Sequence, residues 1–279
     1  MLLGRVARIG FGAMQLPGPG VFGPPRDRDA AMAVLRRAIE LGVNHIDTAQ
    51  YYGRDVANEL IHSALHPYPD DLVLVSKVGA RRDDSGGWHE AGSPDELRAG
   101  IEDNLRSLEL ERVPVVNLRV LGTDADGRFE DQLEAMIAVR DEGLIGAIGI
   151  SNVSLAQFEK ATSATQIACV QNAFSLVDRS ASVLLAACER KDIAFVPFFP
   201  LGSGFGNENL ILGNEAVAST ARRLGGTPAQ IALAWLLDRS PNILLIPGTS
   251  SVPHLEDNMG AAAISLDAEA RDVLGPLGR

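Results

Sequence analysis

An aspartate, a phenol and a lysine at the ends of two successive apolar runs raise the chemical question of this sequence. The first run, "GVNHID", ends at Asp47 and passes into "TAQYYG", which offers Tyr51 and Tyr52; the second, "DLVLVSK", ends at Lys77. A phenol titrates at about 10 when unperturbed, and a nearby ammonium favours the phenolate. A carboxylate beside the lysine keeps it charged and oriented. If Asp47, Tyr52 and Lys77 meet, Tyr52 is expected to be acidified and to act as proton donor to a developing alkoxide. Singly, each has a plainer reading: Asp47 as a strand-end acid capping a turn, Lys77 as a solvated amine. The three carry chemistry only if the fold brings them to one place.

The elements around them alternate. Short β-branched runs at 7–12, 42–47, 71–77, 113–120, 144–151, 167–172, 193–199 and 242–248 read as strands. Between and after them lie segments of helical period: 27–41, 93–108, 130–142, 154–163, 180–191, 214–224, 228–239, 252–260 and 267–274. The segment "SPDELRAGIEDNLRSL" carries its own start signal, with Ser93 as cap, Pro94 at the first helical position and Glu96 three residues after the cap. Strand–helix–strand units pair in parallel through right-handed crossovers, and about eight of them predict a closed (β/α)8 barrel; an open doubly wound sheet is the alternative. A barrel of this kind needs about 250 residues, so the 279 residues predict one domain over 1–279. Function is then expected at the C-terminal ends of the strands, where Asp47, Tyr51, Tyr52, Lys77, Arg119, Ser151, Asn152, Gln171 and Asn172 form a ring around one mouth.

Bulk properties narrow the partners. A net charge of −11 argues against nucleic acid, whose phosphates would be repelled. No window reaches the ~18 apolar residues of a membrane span, and the start "MLLGRVARIG" lacks a signal-peptide core; the reading is a cytoplasmic protein with no membrane partner. Cys169 and Cys188 sit in apolar runs without metal-ligand or redox spacing and read as buried thiols, and no metal site is expected. "GFGAMQ" begins like a dinucleotide fingerprint but ends in Gln15 and precedes its helix by a long loop, so it is rejected.

With these residues in view, the chain is identified as a member of the aldo-keto reductases. "DTAQYYG" resembles that family's signature, with Asp47 and Tyr52 as its Asp and catalytic Tyr, and Lys77 in "VSKVG" matches its catalytic Lys. "GISN" (149–152), "QN" (171–172), "PFFPLG" (197–202) and "IPGTSSVPHLEDN" (246–258) match its cofactor-binding segments, so the resemblance covers nearly the whole chain. It implies a nicotinamide cofactor, NADP(H) favoured over NAD(H), reducing a small-molecule aldehyde. The segments "GAMQLPGPGVFGPPRDR", "GVNHIDT", "KVGARR", "VVNLRV" and "SPNILLIPGTSS" are similar to bacterial pyridoxal reductases within the family, which implies reduction of the 4-aldehyde of pyridoxal to pyridoxine.

By position, the resemblance places Ser151, Asn152 and Gln171 on the nicotinamide carboxamide and Phe198 against the nicotinamide ring. It places Pro200, Leu201, Gly202 and Ser203 along the pyrophosphate, and Gly12, Ala13 and Met14 in the wall beside the cofactor. Pro247, Gly248, Thr249, Ser250, His254, Asp257 and Asn258 face the adenosine end, where the helix start near 252 suits a 2′-phosphate. His254 replaces the family's common Arg, and Glu256 adds a negative charge; both weigh toward NADH. Arg119 stands where the family usually places a catalytic His. It cannot exchange a proton near neutral pH, but it can donate hydrogen bonds to the carbonyl or to the ionisable ring hydroxyl of pyridoxal, and its charge lowers the Tyr52 pKa further. Its other option is to turn away and pair with Asp124 or another acid.

Phe22, Tyr51 and Trp88 are candidate pocket walls, each with plain packing as the other reading. His45 is expected to pack inside the barrel. Two rival functions remain at this stage: a lyase or aldolase forming a Schiff base on Lys77, and a nicotinamide-sensing regulatory subunit without turnover.

Overall fold

The computed structural model describes residues 6–121, 127–202 and 210–278. The elements run β1 (Phe11–Gly12), α1 (Arg28–Glu40), β2 (His45–Asp47), α2 (Val56–Leu65), β3 (Val73–Arg82), β4 (Trp88–Ala91), α3 (Pro94–Leu108), β5 (Val113–Arg119), α4 (Arg128–Asp141), β6 (Ile145–Ser151), α5 (Leu155–Ala164), β7 (Ile167–Gln171), α6 (Ser182–Arg190), β8 (Ala194–Phe195), α7 (Glu215–Leu224), α8 (Pro228–Arg239), α9 (Val252–Gly260) and α10 (Ala268–Leu274).

The sheet is parallel in the order β1-β2-β3-β5-β6-β7-β8, and β4 adds to β3 as an antiparallel hairpin. The segment around 243–245 closes the circle: parallel bridges join Phe195 to Ile243 and Ile9 to Leu245. The backbone N–H of Leu244 donates to Phe195 O at 3.0 Å and that of Leu245 to Arg8 O at 2.8 Å. The molecule is therefore the closed (β/α)8 barrel, and the open-sheet alternative falls.

Side chains alternate across each strand. Ile46 and Leu74 point outward into a layer shared with Leu35, Leu60 and Ile61 of the surrounding helices. Val75, Val115, Cys169, Val196, Leu244 and Ile246 point inward and fill the barrel. Asp47, two residues after His45, lies on the same inward side, at the end where the strands stop. Parallel register then sets the rim: Gly12 stands beside Asp47, Lys77 beside Asn117, Arg119 beside Ser151, and Ser151 beside Gln171.

The start of α3 forms as its sequence dictates. Ser93 Oγ accepts from the Glu96 N–H, and the Glu96 carboxylate accepts from the Ser93 N–H at 3.1 Å. Two elements lie outside the sequence reading. Helix α2 fills the stretch after the Tyr51–Tyr52 turn, and β3 runs on to Arg82 before folding back as β4, where "RRDDSGGWHE" reads as plain loop. The hairpin turn is held by Asp83, whose Oδ1 accepts from the N–H groups of Ser85 (2.9 Å) and Gly87 (2.7 Å).

Candidate active site

Asp47, the last residue of β2, and Lys77, on the neighbouring β3, meet as a buried ion pair: Lys77 Nζ donates to Asp47 Oδ1 and, at 2.9 Å, to Thr48 O. The second carboxylate oxygen accepts from Gln171 Nε2 at 2.6 Å. Each Asp47 oxygen thus has a polar donor, which is what a buried carboxylate needs. Tyr52 packs against the pair, with Lys77 Nζ 4.8 Å from its ring centroid.

Behind the pair runs a neutral, buried polar chain. Thr48 Oγ1 donates to Asn58 Oδ1 at 2.7 Å; Asn58 Nδ2 donates to Asn104 Oδ1 and to Ser107 Oγ, each at 2.9 Å. Asn104 Oδ1 also accepts from Ser76, and Asn104 Nδ2 reaches Gly100 O at 2.7 Å. This chain ties the strand ends that carry Asp47 and Lys77 to α2 and α3. Its members escaped the sequence reading, although Asn58 and Asn104 announce themselves as polar residues on the apolar stripe of their helices.

The acidity expected of Tyr52 is reversed. Its pKa is pushed well above the ordinary phenol value, first by burial and then by the Asp47 carboxylate, with Arg119 pulling the other way. The physical reason is that the ammonium of Lys77 does not act alone. It is bound to Asp47, and the Tyr52 hydroxyl makes no hydrogen bond to it among the described residues. Arg119 does lower the value as expected, but burial outweighs it.

These groups floor a cavity of about 390 Å³. Of the expected residues, Gly12, Met14, Asp47, Tyr51, Tyr52, Lys77, Trp88, Arg119, Gln171, Phe198, Pro200, Leu201, Pro247 and Gly248 line it. Gln15, Leu121, Phe199 and Ile246 complete the wall without having been singled out. Tyr51 stands edge-on to Tyr52 (centroids 5.3 Å, 87°) and to Trp88 (5.5 Å, 72°). Arg119 faces the cavity rather than a carboxylate. Its Nη1 donates to Ser151 Oγ at 3.2 Å and its guanidinium lies 5.1 Å from the Phe198 ring centroid. Asp124, its alternative partner, lies outside the described residues.

Other expected site residues sit elsewhere. Phe22 does not line the cavity; it packs on the guanidinium of Arg82 (5.2 Å), whose other contact is the Trp88 ring (4.1 Å). Arg82 also donates to Val21 O and Gly20 O, each at 3.0 Å, so it clamps the loop after β1 to the β3–β4 hairpin. Ala13 is buried, and Gly202 stands beyond the cavity wall. Ser151 is buried against Arg119, and the Asn152 side chain donates to Val120 O at 2.8 Å; neither is among the residues that line the cavity. Asn152 holds a left-handed backbone (φ 59°), which fixes it at the rim.

In the segment expected to face the adenosine, Thr249 Oγ1 accepts from the Ser251 N–H at 3.1 Å, Ser250 faces a neighbouring groove, and Asn258 is buried. The Asp257 carboxylate accepts from Thr227 Oγ1 at 2.8 Å, which joins α9 to the start of α8. His254 is exposed. Glu256 does not stand alone: Arg37 on α1 pairs with it at 2.8 Å and with Glu40 at 3.0 Å, so the negative charge near the start of α9 is offset in part. Ser203 lies outside the described residues.

The residues present fit a nicotinamide cofactor. Gln171 Oε1 is buried at the cavity without a hydrogen-bond partner, an acceptor suited to a carboxamide N–H. Gly12 and Gly248 let the first and last strands close tightly beneath it: a Cβ on Gly248 would come within 2.6 Å of Gly12 O. The start of α9 offers free backbone N–H groups to an anion. Among the described residues, no three His, Cys, Asp or Glu side chains gather into a metal-binding group, and no helix is long and apolar enough to cross a membrane.

Known proteins with this arrangement are close at hand. A pyridoxine 4-dehydrogenase of Escherichia coli (strain K12) is 49% identical over 98% of this chain and 96% of its own. An uncharacterized oxidoreductase of Schizosaccharomyces pombe is 38% identical over 95% of this chain and 84% of its own. An aldo-keto reductase from Klebsiella pneumoniae, solved in complex with NADPH, superposes with a TM-score of 0.81 at 27% identity, covering 98% of this chain and 91% of that one. A thermostable aldo-keto reductase solved with the inhibitor epalrestat gives 0.82 at 30% identity, covering 99% and 97%. The model of the Aldo/keto reductase family matches residues 8–273, and with the buried Asp47–Lys77 pair beside Tyr52 at the barrel mouth the conclusion is direct: the chain belongs to the aldo/keto reductase family and is an oxidoreductase of that type.

Proposed function

We propose that the protein is a cytoplasmic, NADPH-dependent aldehyde reductase that converts pyridoxal to pyridoxine, with Tyr52 as proton donor. The observation that carries the chemistry is the ion pair of Asp47 and Lys77 packed against Tyr52 on the floor of an aromatic-walled cavity. The substrate rests on the likeness to the Escherichia coli pyridoxine 4-dehydrogenase, and the cofactor on the likeness to the NADPH-bound reductase.

When bound, the nicotinamide supplies the hydride to the carbonyl carbon. The chain's own groups do the rest. Gln171 is held by Asp47 through its amide nitrogen and presents its oxygen to the carboxamide. Tyr52 is kept protonated through neutral pH by burial and by Asp47, which is the form a donor needs. As charge develops on the substrate oxygen, the nearby cations Lys77 and Arg119 stabilise it in a site with little water. The phenol proton then moves to the alkoxide, a strong base. Arg119 has donors left after Ser151 and takes the ionised ring hydroxyl beside the aldehyde. A Schiff-base role for Lys77 is disfavoured because its ammonium is already committed to Asp47 and Thr48 O.

The test is a panel of aldehydes including pyridoxal, with NADPH and NADH in parallel, followed by loss of nicotinamide absorbance. Pyridoxal with NADPH is expected to give the highest kcat/KM. Turnover of simple aldehydes but not pyridoxal would remove the substrate assignment. A borohydride-trapped adduct on Lys77 would replace the reductase by the lyase, and tight nicotinamide binding without any turnover would point to a sensor.

A further inference from the structure

The cavity holds a second buried polar atom that the cofactor reading leaves unused. Tyr51 lines the cavity, is only 3% exposed, and carries a buried hydroxyl that has no hydrogen-bond partner. Buried phenol hydroxyls are nearly always paired, and leaving one unmade costs about 1–3 kcal/mol. Its partner is therefore expected to arrive with a ligand. Tyr51 is also held still: its ring is set edge-on between Tyr52 and Trp88, and Trp88 is in turn stacked on Arg82. A rotor fixed on both sides presents its hydroxyl in one direction.

We propose that Tyr51 determines specificity by pairing its hydroxyl with a polar ring substituent, a hydroxyl or a ring nitrogen, of an aromatic aldehyde whose carbonyl meets Tyr52. The inference rests on the carbonyl-reductase reading and adds to it the residue that selects among aromatic aldehydes. Tyr51 and Tyr52 are consecutive residues with touching rings, so a carbonyl at Tyr52 brings the flanking part of the same small molecule to Tyr51. The cluster of the Tyr51, Tyr52 and Trp88 rings makes this part of the wall aromatic, which favours a planar ring over an aliphatic chain. Burial holds the Tyr51 phenol in its neutral form, so it can both donate and accept. An ionised substituent would take its proton as a hydrogen bond, and a neutral hydroxyl could donate to it. A short aliphatic aldehyde has nothing to place there.

The experiment compares wild type with Tyr51→Phe, which keeps the ring and both edge-on contacts and removes only the oxygen. The probes are benzaldehyde and its 2-, 3- and 4-hydroxy derivatives, each with saturating NADPH, with cofactor affinity measured alongside. In wild type one hydroxylated isomer is expected to have the higher kcat/KM. In Tyr51→Phe its advantage over benzaldehyde should shrink about tenfold, mostly through KM, because the bond is made equally before and during reaction. Equal losses on both aldehydes, an unchanged ratio, or no hydroxyl preference in wild type would each overturn the assignment of Tyr51 while leaving the reductase reading in place. Absence of turnover with every aldehyde would instead overturn the reductase reading and the inference with it.

Discussion

Acid should unfold this protein earlier than its surface charges suggest, because His45 cannot be protonated where it sits. The residue is 4% exposed, inside the barrel, and neither ring nitrogen has a hydrogen-bond partner. Its ring lies flat on Gly10, where a Cβ would come within 2.3 Å of Nε2, so no water or counter-charge fits on that side. Burial lowers its pKa from the ordinary 6.5 to about 4; the Leu245 carbonyl, near the ring but outside good hydrogen-bond geometry, works the other way. The unfolded chain takes up the proton near pH 6.5; the folded chain refuses it until about pH 4. Stability from this group is therefore complete above pH 6.5 and is lost as pH falls toward 4. At 1.36 kcal/mol per unit, the full loss is about 3 kcal/mol, of which roughly 2.5 has gone by pH 4.5. The assay is urea unfolding from pH 8 to pH 4.5 for wild type and His45→Met, an unbranched replacement that fills the same flat space. The variant is expected to lose about 2.5 kcal/mol less than wild type over that range. Parallel stability curves for the two proteins would refute the reasoning.

Three further outcomes follow from the contacts. Asp47→Asn leaves the Lys77 ammonium buried without a counter-charge, and should cost about 3–5 kcal/mol in chemical denaturation while removing most aldehyde reduction. Arg82→Met removes the clamp between the loop after β1 and the β3–β4 hairpin; about 2–3 kcal/mol of stability should be lost, and the fluorescence of Trp88 should change as its ring is freed. Arg119→Leu should lower kcat/KM for pyridoxal by roughly 10–100-fold more than for benzaldehyde, the worth of a charge-assisted hydrogen bond to the ring hydroxyl, while both lose the stabilisation of the carbonyl oxygen. A pyridoxal rate equal to wild type would show that Arg119 does not hold the substrate.

The barrel was legible because its rhythm is local. β-branched runs, capped helices such as the one opened by Ser93 and Glu96, and the absence of a linker all lie within short windows of sequence. Lys77, Asp47 and Tyr52 were legible as types and spacing. Helix α2 is legible in principle, since Ala57, Leu60, Ile61 and Leu65 are buried at helical spacing, but its start at Val56 carries no side-chain cap to announce it. What could not be read is long-range. Nothing local says that Asp47 binds Lys77 tightly enough to cancel the ammonium's effect on Tyr52. Nothing local says that Arg37, far back on α1, pairs with Glu256, or that Arg82 draws Phe22 away from the cavity. Each of these is a contact between distant segments, and each changes the sign or the place of a chemical expectation drawn from the sequence.

The account stands on Tyr52 as the group that gives up a proton beside the Asp47–Lys77 pair. The direct measurement is Tyr52→Phe, read twice: single-turnover reduction of pyridoxal by NADPH, and the dissociation constant of NADPH. The phenyl ring keeps the packing against Lys77 and loses only the hydroxyl, so cofactor affinity should stay within about twofold while reduction falls by about 10²–10⁴-fold. A variant that binds NADPH as before and still reduces the aldehyde at the wild-type rate would contradict the account.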